Sequence, residues 1–204
     1  MKYVYRLVNA LLSLAVFPVI YFLDLLYIEA SVTGASSALY ERISIKDYFD
    51  LKAGRSDYST IFSLLNIDFN GVFRWPEQFA PINKRLVVVL VCLALMLIAA
   101  VIILVFSIFS NKRMPVLISS GVGLVAISVA TAVFSSIGTE FTSGNINIIS
   151  AFSDSSILSA LGGSLLQIGA VRFGGFQAAE IIIFVGLILW TAIFYLSELG
   201  ETKK

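Results

Sequence analysis

The chain has no histidine and a single cysteine. The first absence removes the commonest general base and the commonest metal ligand, and with them haem or chlorophyll ligation through imidazole. The second means that no intrachain disulfide braces a loop. Cys92 lies inside an apolar run, where a thiol behaves as a small hydrophobe. Charge is scarce as well. Only 13% of the 204 residues are Asp, Glu, Lys or Arg, where soluble domains carry about 25%, and the mean hydropathy is +0.94. A net charge of +1 gives no steering toward nucleic acid. No glycine-rich phosphate loop precedes a lysine, and there is no nucleophile elbow and no Cys/His metal spacing. Asp47 and Asp50 stand at helical i, i+3 spacing, but nothing apolar surrounds them to shift a carboxyl pKa. The expectation is a protein with no cofactor, no metal and no catalytic residues, and not an enzyme.

What the chain does have is length in its apolar runs. Residues 86–111 contain no charge and are bracketed by Lys84-Arg85 and Lys112-Arg113. As a helix of about 1.5 Å rise per residue this stretch reaches roughly 39 Å, beyond a hydrocarbon core of about 30 Å. Further spans are expected near residues 3–28, 115–138 and 178–197, with this one at 86–110. The first could be mistaken for a signal peptide, since Lys2 and Arg6 precede an apolar run over 7–23. Signal cores are shorter and end in small residues; here bulky aromatics follow, so an uncleaved span is expected. Tyr3 and Tyr5 suit one interface and Tyr21, Phe22 and Tyr27 the other. Pro18 should kink the helix, which neighbouring helices can tolerate. The fold class is therefore all-α integral membrane: one domain over 1–204, a four-transmembrane-helix bundle with short amphipathic helices in two outer loops.

Lysine and arginine placement sets the topology. Lys2, Arg6, Lys112, Arg113, Lys203 and Lys204 share one side, against Lys84, Arg85 and Arg172 on the other. Both termini and the tight turn at Asn111 are thus expected in the cytoplasm, and residues 30–85 and 139–177 outside. In the first outer loop Ser44-Ile45-Lys46-Asp47 reads as a capping box opening a short helix, with Gly54 as its stop. A second short helix is expected over residues 58–65, and Trp75 before Pro76 as an interfacial anchor. Ile45, Phe49, Ile61, Leu64 and Leu65 would share a surface. The loop's charges are balanced and interspersed, as on a solvated surface or a docking face of both signs. In the second outer loop the apolar piece 158–171 is short for a span and is broken by Gly162-Gly163, with Gly169 near its end. It reads as interfacial or re-entrant.

Span three differs in kind from span two. Ser119/Gly123, Ala126/Ala130 and Ala132/Ser136 are i, i+4 small pairs, a face that lets helix backbones approach closely. The serines and Thr131 of this span either pack or line an aqueous path. With no charge assigned to the interior of spans two to four, a coupled pump is disfavoured. Asp24 is the candidate functional acid, although roughly 27 Å of helix from Arg6 brings it to the outer rim. Residues 56–65 and 153–161 resemble one another, as in a duplicated span–loop–span unit, or by the chance likeness of serine-capped helices. The layout of a long first outer loop, tight inner turn and shorter second loop is that of claudins and tetraspanins. Those families brace an outer loop with paired cysteines and neither loop here has one, so no family is assigned. The missing disulfides and glycosylation acceptors favour a bacterial cytoplasmic membrane as the cell membrane concerned.

The functional expectation is a non-enzymatic accessory or scaffold subunit. It acts through helix packing and a structured outer cap, its partners the lipid bilayer and a second copy or another membrane protein. The alternative is a channel or transporter subunit with a re-entrant glycine-rich segment. Reporter fusions test the threading: a reporter at either terminus or inserted at Asn111 reads cytoplasmic, and an external reading at any of them defeats the topology.

Overall fold

In a lipid interior every backbone N–H and C=O must be satisfied within the protein, so the long apolar runs close their hydrogen bonds as helices. The computed structural model describes residues 2–32, 38–52, 80–110, 112–145 and 166–201. It holds α1 (Lys2–Phe22), β1 (Leu26–Val32), β2 (Ala38–Ile43), α2 (Ile45–Lys52), α3 (Ala80–Phe109), α4 (Met114–Thr142), β3 (Leu166–Phe173) and α5 (Gly175–Glu201). Four of these helices, α1, α3, α4 and α5, are long and apolar enough to cross a membrane, and the chain is read as a multi-pass membrane protein.

The four long helices touch in ring order, α1 to α3, α3 to α4, α4 to α5 and α5 back to α1. Each buries one stripe at three- and four-residue spacing, the face a 3.6-residue repeat presents to a neighbour. On α1 the stripe is Tyr5, Asn9, Ser13, Val16 and Ile20. On α3 it includes Val89, Cys92, Met96, Ala99, Ala100 and Ile103, and on α5 Phe176, Glu180, Ile183, Phe184, Leu187 and Thr191. The opposite faces carry exposed Leu, Val and Ile, among them Leu90, Val125, Ile182 and Leu189. Outward apolar side chains at this density are a cost in water and none in lipid.

On α4 the small residues decide how close α5 comes. The Phe184 ring, fully buried, lies where a Cβ on Gly123 would be, with its Cζ at 2.5 Å and Cδ1 at 2.7 Å from that position. Higher up, Gly138 is pressed against the Val171 carbonyl, so α4 also meets β3 without a side chain between them. At the turn end two arginines tie helices together through carbonyls: Arg6 Nε donates to Ser107 O at 2.8 Å, and Arg113 Nη1 donates to Phe194 O while lying 5.1 Å from the Tyr5 ring centre.

At the other end is an antiparallel sheet of order β2-β1-β3. The amino-acid pattern carried an all-helical expectation, and the sheet corrects it. Span one, expected to 28, ends at Phe22, and Tyr27 and Ile28 belong to a strand. The physical reason is alternation: Leu26, Ile28 and Ala30 turn toward the helices, Ile28 and Ala30 buried, while Tyr27, Glu29 and Ser31 turn away. The expected re-entrant piece 158–171 is likewise corrected over its described part, because residues 166–173 are strand β3, with Val171 and Phe173 buried. Phe173 stacks on Phe134 at 4.3 Å and meets Phe176 edge-on at 5.1 Å, which seats the sheet on α4 and α5.

The capping box is formed: Ser44 N–H and Oγ–H donate to Asp47 Oδ2 at 2.8 and 2.6 Å, and Asp47 N–H donates to Ser44 Oγ at 3.1 Å. These bonds start α2, one of the two short helices expected in the loop. The other, at 58–65, and both members of the proposed repeat, at 56–65 and 153–161, lie outside the described residues, as does Trp75. Residue 140, expected in a loop, sits in the last turn of α4, where Glu140 Oε1 accepts from Arg85 at 3.0 Å.

Adding one methyl at Gly123 tests the α4–α5 contact. Gly123→Ala should lower the unfolding free energy in detergent by about 1–3 kcal/mol through overpacking, and a second change, Phe184→Leu, should restore at least half. A Gly123→Ala protein as stable as the parent would contradict the packing.

Candidate functional site

The sheet register builds the site. Tyr27 on the central strand faces Arg42 of β2 on one side and Arg172 of β3 on the other. Directly opposed residues of neighbouring strands point to the same face, so the three form one row, Arg42–Tyr27–Arg172. Both guanidiniums lie over the Tyr27 ring, Arg172 at 4.7 Å and Arg42 at 5.9 Å from its centre. The Tyr27 hydroxyl donates to Glu29 Oε2 at 3.3 Å. Burial first, then the neighbouring Glu29 charge and this hydrogen bond, push the Tyr27 phenol above the ordinary tyrosine value, with Arg172 pulling the other way.

Where this row meets the helices a cleft of about 480 Å³ opens, lined by Asp24, Tyr27, Arg42, Arg172, Thr131, Ser135 and the start of α5. Its floor is held by backbone bonds. Leu25 N–H donates to Ile43 O at 2.8 Å, Gly174 N–H to Leu25 O at 3.1 Å and Phe176 N–H to Asp24 O at 3.3 Å. Asp24 Oδ2 lies 3.7 Å from Arg42 Nη1, with the two side chains 33% and 68% exposed. A pair that open contributes less than about 1 kcal/mol, so the carboxylate does not tie Arg42 down. Two arginines against one aspartate leave the cleft net positive.

A second feature lies beneath the cleft. Glu180 is fully buried on the inward stripe of α5, one turn after Phe176 and one before Phe184, and neither carboxyl oxygen has a hydrogen-bond partner among the described residues. The expectation that spans two to four carry no interior charge is thereby corrected. The signal was there, since an acid inside the apolar run 178–197 is a functional candidate wherever it occurs. Asn9 on α1 and Thr191 on α5 are buried and, among the described residues, their side-chain polar atoms have no partner, nor has the Tyr5 hydroxyl. They lie toward the turn end, and fully buried Val16, Met96, Ile127 and Leu187 fill the interior with apolar volume.

The remaining expected site residues fall as follows. Ser119, Gly123, Ala126 and Ala130 are buried, Ser136 is half-buried and Ala132 is exposed. The hydroxyls of Ser120, Ser128, Thr131 and Ser136 donate to carbonyls three or four residues back, at 2.7–2.8 Å. Gly162 and Gly163 lie outside the described residues, while Gly169 falls at the register shift in β3 opposite Glu29 and Ala30. Asp24 lines the cleft. Arg42, Arg172 and Tyr27 were missed as a group because strands were not expected; the alternation in LYIEASV, with a polar turn before ALYERI, carried that signal. Among the described residues no three acidic or cysteine side chains converge as a metal site. No protein-family model matches this chain, and no curated protein is similar to it.

A buried carboxyl with no partner costs stability. Glu180→Met should therefore raise the unfolding free energy by about 1–3 kcal/mol, measured by thermal or denaturant unfolding in detergent. A loss of similar size would show that the carboxyl is satisfied in the folded chain.

Proposed function

We propose that this protein is a non-enzymatic accessory or scaffold subunit of a bacterial cytoplasmic membrane, its termini cytoplasmic and its sheet outside, docking a second copy or another membrane protein through the sheet. The observation that carries the reading is a rigid platform. Strand β1 follows α1 and strand β3 leads into α5, bonded across Asp24, Leu25 and Gly174 with β2 paired on β1, and one face of the sheet presents Tyr40, Arg42, Tyr27 and Arg172. Tyr40 is 61% exposed. Tyrosine and arginine are enriched at binding hot spots because each offers area and hydrogen bonding together. The small-residue face of α4, by contrast, is spent in part within the chain: Gly123 receives Phe184. The role of partner docking therefore falls on the sheet more than on span three.

The second reading, a channel or transporter subunit, is favoured by one observation, the buried Glu180. The apolar layer around Val16, Met96, Ile127 and Leu187 argues against a path through one copy.

A photo-crosslinking residue at position 40 tests the docking role. In cells it should trap one partner, a copy of this chain or a stoichiometric foreign protein, where the same residue at lipid-facing position 90 traps none. Equal trapping at both positions, or none at 40, would sink the reading. Ion flux through liposomes carrying the purified chain alone, abolished by Glu180→Gln, would establish the second reading instead.

A further inference from the structure

The arginines of the sheet face also line the cleft, and there they offer a second ligand chemistry. Arg172 is exposed, rests on the Tyr27 ring, and has no carboxylate within ion-pair distance among the described residues. Arg42 holds Asp24 only loosely, at 3.7 Å. Gly174, Gly175 and Gln177 line the cleft at the start of the 27-residue α5. The first N–H groups there are already bonded, Gly174 to Leu25 O and Phe176 to Asp24 O, so the charge the cleft offers comes from the arginines. Thr131 and Ser135 complete the lining. Two guanidiniums in a cleft bordered by Ser135 make a site for a phosphate, which arginine binds by paired hydrogen bonds.

Depth and shape identify the source of the phosphate. Thr131 lies 17 residues beyond Met114 on α4, about 26 Å along a helix, which is close to the boundary of a hydrocarbon core of about 30 Å. Below the cleft, Ser128, Thr131, Ala132 and Ser135 share one face of α4 at i, i+3, i+4 and i+7 spacing. Ser128, Ala132 and Ser135 are exposed there, beside the larger exposed Val125 and Val129. The Ser128 and Thr131 hydroxyls are turned back onto Leu124 O and Ile127 O, both at 2.8 Å. The face they leave outward is shallow and carries little free polarity. We propose that the cleft binds the phosphate of a phospholipid from the leaflet on the sheet side, with an acyl chain lying along this small-residue face of α4. The arginines fix the head group, and the missing side chains make room for the tail. A free phosphate would use the first element and be indifferent to the second.

Lipid titration followed by native mass spectrometry tests this on the full chain in detergent, with phosphatidylglycerol as the probe and inorganic phosphate as competitor. The parent protein should bind one phosphatidylglycerol molecule in preference to others. Arg172→Gln should weaken that binding about tenfold or more, the loss of a charge-assisted hydrogen bond, while Arg172→Lys keeps part of it. Ala132→Trp, at an exposed position, should also weaken it several-fold and leave the thermal midpoint unchanged. Equal lipid binding by parent and Arg172→Gln proteins would overturn the site. Displacement of the lipid by millimolar inorganic phosphate, with Ala132→Trp without effect, would overturn the lipid as its ligand.

Discussion

Strand β1 leaves the first long helix and strand β3 enters the last, and the two pair antiparallel from Leu26 with Phe173 to Val32 with Leu166. That pairing is the constraint on which the other features rest. It fixes the end of α1 against the start of α5, since the chain between strand and helix is only a few residues on each side and is itself bonded through Asp24, Leu25 and Gly174. It turns Phe173 inward onto Phe134 and Phe176. On the opposite face it sets Arg172 beside Tyr27. A slip of one residue would exchange the two faces, burying a guanidinium among phenylalanines and undoing both the seat of the sheet and the cleft.

The same chain shows how unevenly polarity is distributed when the solvent is lipid. Arg6 bonds a carbonyl in the last turn of α3 and Arg113 a carbonyl of α5, Arg85 meets Glu140 at the sheet end, and hydroxyls on α4 return to the preceding turn. Each arrangement spends a polar group locally, as a low-dielectric surrounding demands. Glu180 and Asn9 break that habit, buried and without a partner among the described residues. Natural proteins keep such costs where they serve a function, and these residues are where a role beyond docking would reside.

Much of the helical frame was legible in the residues. Uncharged runs bounded by Lys84-Arg85 and Lys112-Arg113 have one economical solution in a bilayer, and Ser44 with Asp47 announced its capping box. The sheet was not read, because its strands abut the helices without a break. Leu26, Tyr27 and Ile28 continue the apolar run of α1, so composition alone extends the span, and only the period-two alternation separates them. β3 hid for a second reason: Gly169 sits at a register shift, which interrupts the alternation in LQIGAVRF. The cleft was out of reach of any linear reading, since Tyr27, Arg42 and Arg172 become neighbours only across the ladder. Glu180, by contrast, stood in plain view inside an apolar run.

Cysteine pairing across β1 and β3 tests the central contact most directly. In a chain with Cys92 replaced by alanine, Glu29→Cys with Ala170→Cys places the thiols on directly opposed residues, whose Cα atoms in an antiparallel pair lie about 4.5–5.5 Å apart, within disulfide reach. Mild oxidation in the membrane should bridge that pair readily, and Glu29→Cys with Val171→Cys, whose side chains lie on opposite faces of the sheet, far less. Failure of the first pair to bridge, or equal bridging by both, would contradict the register and with it the row of Arg42, Tyr27 and Arg172.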